Sequence, residues 1–110
     1  MIQLTLYKKA DGSYKGFSCK GHAGYGNYGQ DIVCAGTSAL VLTTLRSIET
    51  LTEDDISFKV REKSGYAACK FQNSASKESA LLLDALVLGF EAIREDYGKK
   101  YVSIIFKEIR

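Results

Sequence analysis

Residues 14–51 read YKGFSCKGHAGYGNYGQDIVCAGTSALVLTTLRSIETL, and a change of apolar spacing inside this stretch decides the fold. At its start Phe17 and Cys19 alternate with Ser18, Lys20 and His22, a period of two that predicts a strand over 14–22. Further on, Val41, Leu42, Leu45 and Ile48 recur at helical spacing, which predicts a helix over 32–51. Asp31 is a good N-cap for that helix, with Ile32 as its first residue. The intervening AGYGNYGQD, residues 23–31, is too rich in Gly for a regular element and reads as a flexible loop.

Working outward, Ile2, Leu4 and Leu6 alternate with Gln3, Thr5 and Tyr7, and Ala10–Ser13 has turn chemistry, so residues 1–22 predict an antiparallel hairpin. Ile56, Phe58 and Val60 form a third alternating run. Ser64-Gly65 is a turn, and Ala67, Cys69 and Phe71 resume the pattern. With Lys63 opposite Tyr66, Val60 would face Cys69 and Phe58 would face Phe71. Ser74 or Ser76 can cap a second helix that ends at Tyr97 with Gly98 as its stop. Its middle, ALLLDALVLGF, is apolar on nearly every face, which predicts a subunit interface covering its second face, the alternative being a helix packed deeply on the sheet. Residues 100–109 carry apolar side chains on both faces, as a central strand does. The order is ββαββαβ. It predicts a single α+β domain over residues 1–110, a mixed five-stranded sheet with two helices on one face.

Composition bounds the function. With 110 residues there is one core to build, and 45% apolar content with 25% charge is that of an ordinary globular domain. A formal net charge of +2 makes no case for direct nucleic-acid binding, which would need a clustered basic patch. Three Cys is an odd count for a secreted disulfide scaffold and fits reduced thiols in the cytoplasm. The start MIQLTLYKK lacks the pattern of a signal peptide, and with no apolar run near 18 residues no membrane span is expected.

The chemistry concentrates in GHAGYGNYGQDIVCAGTSA, residues 21–39. It holds the only His, His22, at a strand end, and Cys34 in the first turn of a helix. A helix N-terminus carries partial positive charge and free N–H groups, both of which favour a nucleophilic thiolate. His22 can pair with that thiol, and the amides of Cys34 and Ala35 could hold an oxyanion. Asp31 either orients His22, as the third member of a triad does, or serves as a plain N-cap. Gln30 is a second orienter or oxyanion donor to consider, and Ser38 lies one turn after Cys34 on the same face. Against this stand blander readings: Cys34 as a small buried hydrophobe and His22 bonded to a carbonyl. Cys19 and Cys69 sit at inward strand positions and read as inert core.

Three decoys carry less. Gly24-Tyr25-Gly26-Asn27-Tyr28-Gly29 matches a dinucleotide fingerprint, but the chain lacks the alternating βα units that motif needs. Cys19, His22 and Cys34 fall short of a structural zinc set, so neither metal nor cofactor is expected. Lys8, Lys9, Lys15 and Lys20 lie near Tyr7, Tyr14, Tyr25 and Tyr28, a pattern that suits RNA but more often marks solvated edge lysines.

The block GHAGYGNYGQDIVCAGTSA resembles the signature of the ribosomal-processing cysteine protease family, and the resemblance runs along the whole chain. It implies an endopeptidase that removes the N-terminal extension of a bacterial large-subunit ribosomal protein, the L-twenty-seven homologue, after an apolar, aromatic-containing motif. It implies Cys34 as nucleophile and His22 as general base, with Asp31 matching an acidic residue before the helix. Gly21, Gly24 and Gly29 match positions of a mobile substrate loop, in which Gly26 also lies. A homodimer is implied, and the partner is the precursor's N-terminal peptide. Two further readings stand beside this one: a non-enzymatic ribosome- or RNA-associated module, and an acyl hydrolase using the same pair.

Overall fold

Period-two alternation becomes strand in every run that carries it, although in residues 56–61 neither row of side chains is buried. Ile2–Lys8 forms β1, Tyr14–Lys20 β2, Ile56–Arg61 β3, Tyr66–Phe71 β4 and Val102–Glu108 β5. The helices are α1, Ile32–Leu51, and α2, Lys77–Tyr97. This computed structural model describes residues 1–27 and 29–109. The predicted α+β order is the one observed, in a sheet ordered β3-β4-β2-β1-β5. β1 and β5 run parallel; the other pairs are antiparallel.

Register lines up the inward row across the strands. Leu4 lies opposite Cys19, which lies opposite Ala67; Leu6 lies opposite Phe17, which lies opposite Cys69. Val33, Val41, Leu45 and Ile48 of α1 and Leu83, Leu86 and Phe90 of α2 close the core over that row. Each such side chain contributes about 1.5–3 kcal/mol by leaving water. By length and hydropathy α1 is apolar enough to cross a bilayer, contrary to the sequence expectation, but this buried stripe packs on the sheet.

Polar contacts fix the helix ends. Ser76 caps α2: its Oγ accepts from Ser79 N at 3.1 Å and donates to Asp54 Oδ2 at 2.7 Å. Gly98 ends the helix at φ 124°, and Tyr14 OH reaches from β2 to donate to Asp84 Oδ1 at 2.7 Å.

Three expectations need correction. β2 stops at Lys20, because Gly21 at φ +98° turns the chain out of the sheet before His22. The β3–β4 register is two residues off: Val60 pairs with Ala67 and Phe58 with Cys69, because Glu62–Gly65 forms a four-residue connection. A shift of two preserves which face each side chain takes, so the alternation could not detect it. β5 is an edge strand, not a central one. Its parallel pairing with β1 follows from the α2 crossover. Phe106 remains 54% exposed there, with the Lys8 ammonium 5.3 Å from its ring centroid.

Candidate active site

Asp31 organises the site. It is buried at the N-cap of α1, and its Oδ1 accepts from Val33 N and Cys34 N, both at 3.0 Å. Its Oδ2 accepts from Tyr25 N at 2.9 Å and Gly26 N at 3.1 Å, tying the Gly-rich loop to the helix start. Burial pushes its carboxyl up, but the four N–H donors outweigh that and hold it below the ordinary carboxylate range. Both oxygens are thus occupied by backbone, which makes Asp31 a cap and loop anchor. Tyr25 pins the same loop from outside, its ring edge-on to Tyr97 at 5.4 Å and to Tyr101 at 5.1 Å.

Cys34 is partly buried in the first turn of α1, and Ala23 N donates to its Sγ at 3.1 Å. The thiol stands above its ordinary value: burial raises it most and the Asp31 charge adds to that, while the Ala23 amide pulls the other way. The carboxylate that caps the helix opposes the positive end on which the expected thiolate relies. The expected oxyanion donors are also committed. Cys34 N is bonded to Asp31 Oδ1, and Ala35 N donates to Asp31 O at 2.9 Å.

His22 leaves the sheet at Gly21 and meets the β3–β4 connection, with Nε2 3.2 Å from the Lys63 carbonyl oxygen. A carbonyl can only accept, so the ring donates to it from Nε2. Two glycines make this close approach possible. A Cβ on Gly65 would collide with Gly21 O and lie 3.2 Å from His22 Cε1. The Met1 ammonium donates to His22 O at 2.7 Å.

His22 and Cys34 line one cavity of about 540 Å³. Its walls also include Gly21, Gly24, Gly26, Gly29, Asp31, Ala35 and Ser38. Gln30 does not line it; its side chain is exposed and its N–H donates to Asn27 O at 2.9 Å. Tyr28 lies outside the described residues. Sequence reasoning missed the far wall, made by Val60, Arg61, Glu62 and Tyr66 of the β3–β4 hairpin, together with Leu42 of α1. The exposed apolar Val60 was the available signal. Cys19 reaches the cavity too, but burial pushes its thiol up to about 12, as it does for Cys69. Among the described residues no His/Cys/Asp/Glu group could hold a metal ion.

A thiol at a helix start and an imidazole held by a backbone carbonyl share one cavity on this α+β scaffold, the pair of groups that a cysteine peptidase uses. The profile of the family described as cysteine protease Prp matches residues 1–103, and the chain belongs to that family of cysteine proteases. The ribosomal processing cysteine protease Prp of Bacillus subtilis is 31% identical over 101 residues, 88% of this chain and 90% of its own. The Staphylococcus aureus protein of the same name is 27% identical over 99 residues, 90% of this chain and 93% of its own. A crystal structure of the essential S. aureus Prp with a covalently linked product peptide superposes with a TM-score of 0.89 at 26% identity, covering 97% of this chain and all of that one. The same enzyme with a substrate peptide gives 0.84 at 25% identity, with the same coverage of this chain.

Proposed function

We propose that this cysteine protease removes the N-terminal extension of a bacterial large-subunit ribosomal protein in the cytoplasm, using Cys34 as nucleophile and His22 as general base. The observation that carries the assignment is the contact of Ala23 N–H with Cys34 Sγ, which brings the residue after His22 against the sulfur. The S. aureus relative binds a substrate peptide and a covalently linked product peptide, which supports a peptide substrate and a covalent step.

The substrate lies extended between the Gly-rich loop and α1, with apolar side chains against Val41, Leu42 and Val60. His22 takes the Cys34 proton as sulfur attacks the scissile carbonyl carbon. The carbonyl oxygen becomes an oxyanion beside the sulfur, where Ala23 N–H is the donor to hand. His22 then returns the proton to the leaving amine, the C–N bond breaks, and the thioester is hydrolysed by water that His22 deprotonates. Lys63 O holds the imidazole through Nε2–H, the orienting task considered for Asp31. Because burial raises the resting thiol, proton transfer to His22 accompanies the attack.

The active form is read as a homodimer. Leu81 and Leu88 stand 69% and 66% exposed on the outer side of α2, with Ala85 and Ala92 also exposed, an apolar stripe that a second copy would cover. The test is incubation of the full-length precursor ribosomal protein with wild type, Cys34→Ala and His22→Ala, read by intact mass. One cut, absent in both variants, supports the assignment; cutting that survives Cys34→Ala removes it.

A further inference from the structure

Both helices cover one face of the sheet and leave the other open, and the open face is strongly cationic. Alternation places Lys20 of β2, Lys59 of β3, Lys70 of β4 and Lys107 of β5 on that side. Glu108 is the one carboxylate inside any strand, and it alternates to the opposite side, in register with Lys8. Acids gather instead on α2, at Glu78, Asp84, Glu91, Glu95 and Asp96. A net charge of +2 therefore conceals a molecule with a basic sheet face and an acidic helix.

The open face also has shape. A trough of about 400 Å³ runs across β1, β2, β4 and β3, with Tyr7 and Tyr66 among its walls and the small residues Gly16, Ser18 and Ala68 between strands. Lys15, Lys59 and Lys70 line it, and among the described residues no carboxylate does. Lys15 donates to Gln72 O at 2.8 Å and Asn73 O at 3.1 Å. Its ammonium is held below its ordinary value, first by desolvation and then by repulsion from Lys9 and Lys70, so these cations crowd one another.

We infer that this open face docks single-stranded nucleic acid, with phosphates on Lys59 and Lys70 and unpaired bases against the tyrosines. Charge complementarity selects a polyanion, and the aromatic walls of a narrow trough select one with flat, unpaired bases. An acidic peptide would satisfy the lysines and leave the tyrosines unused. The surface lies on the far side of the sheet from the helices, and Tyr66 at the start of β4 lines both it and the cavity of His22 and Cys34.

The experiment is fluorescence anisotropy of the whole protein with a labelled single-stranded RNA of mixed sequence, at rising salt. Competitors are the paired duplex and polyglutamate. Wild type should bind the single strand about tenfold more tightly than either competitor, with affinity falling as salt rises. Lys59→Glu with Lys70→Glu should lose about tenfold or more and show a shallower salt slope. Tyr7→Leu should lose roughly fivefold at unchanged salt slope. Lys77→Glu with Lys99→Glu, away from the trough, should stay within about twofold. Peptide cleavage by the Lys59/Lys70 variant should match wild type, which also certifies its fold. Absence of binding at low salt, binding indifferent to Lys59 and Lys70, or equal competition by polyglutamate would each overturn the inference.

Discussion

Replacing Asp31 separates two jobs that one carboxylate performs. Asp31→Ala leaves four N–H groups without their acceptor: Val33 and Cys34 in the helix, Tyr25 and Gly26 in the loop. Loss of an N-cap costs about 1 kcal/mol. The two loop amides belong to exposed residues, so water recovers much of their bonding and each contributes about 0.5 kcal/mol, the low end for a hydrogen bond. Asp31→Ala should therefore cost about 2 kcal/mol. Asp31→Asn keeps a capping oxygen and loses only the loop half, about 1 kcal/mol. An unfolding entropy of about 2.1 cal/mol/K per residue makes these losses roughly 9 °C and 4 °C in Tm. The contribution is also pH-dependent. Because the folded carboxyl is depressed, its stabilisation is complete above the unfolded value of about 4 and is lost as pH falls through the folded one. The gap between wild type and Asp31→Ala in urea melts followed by circular dichroism should thus be full at neutral pH and shrink in acid. If Asp31→Asn melted like wild type yet abolished cleavage, Asp31 would be acting on His22 and the reasoning would fail.

Other perturbations probe the remaining parts. Iodoacetamide should label Cys34 alone in the folded protein, at a rate that keeps climbing past the ordinary thiol range, since Cys34 is raised and Cys19 and Cys69 stand at about 12; peptide mapping would expose an early plateau or labelling elsewhere. Gly65→Ala places a side chain at φ +62° against Gly21 O and His22, so Tm should fall by an amount equivalent to about 1–3 kcal/mol, with a larger proportional loss of cleavage. Phe90→Ala empties a fully buried site and should cost about 3–5 kcal/mol in urea melts. Leu88→Glu, on the exposed side of the same helix, should leave the protomer folded and shift light scattering from dimer to monomer mass.

Much of the fold was legible because each element carries its own boundary chemistry. Asp31 and Ser76 cap the helices, Gly98 ends the second, and alternation gives the strands. What escaped is non-local. Sheet order depends on which strands meet, so the doubly apolar 100–109 segment read as central although α2 delivers it to an edge. The hairpin register escaped because a two-residue slip leaves every face unchanged. At the site, spacing pointed to His22 and Cys34 but could not show that backbone amides already occupy Asp31, or that the carbonyl of Lys63 meets the His22 ring. Backbone groups have no sequence signature. The same holds for the basic face, whose cations come from four separate strands and meet only in the assembled sheet.

The central claim is that Cys34 itself attacks the substrate. Its most direct test is to mix enzyme with a precursor peptide, quench in acid during turnover, and map the acylated protein by mass spectrometry. The account predicts the N-terminal fragment of the substrate as a thioester on Cys34, at reduced occupancy in His22→Ala. The fragment on Cys19 or Cys69, or turnover by Cys34→Ala, would contradict it.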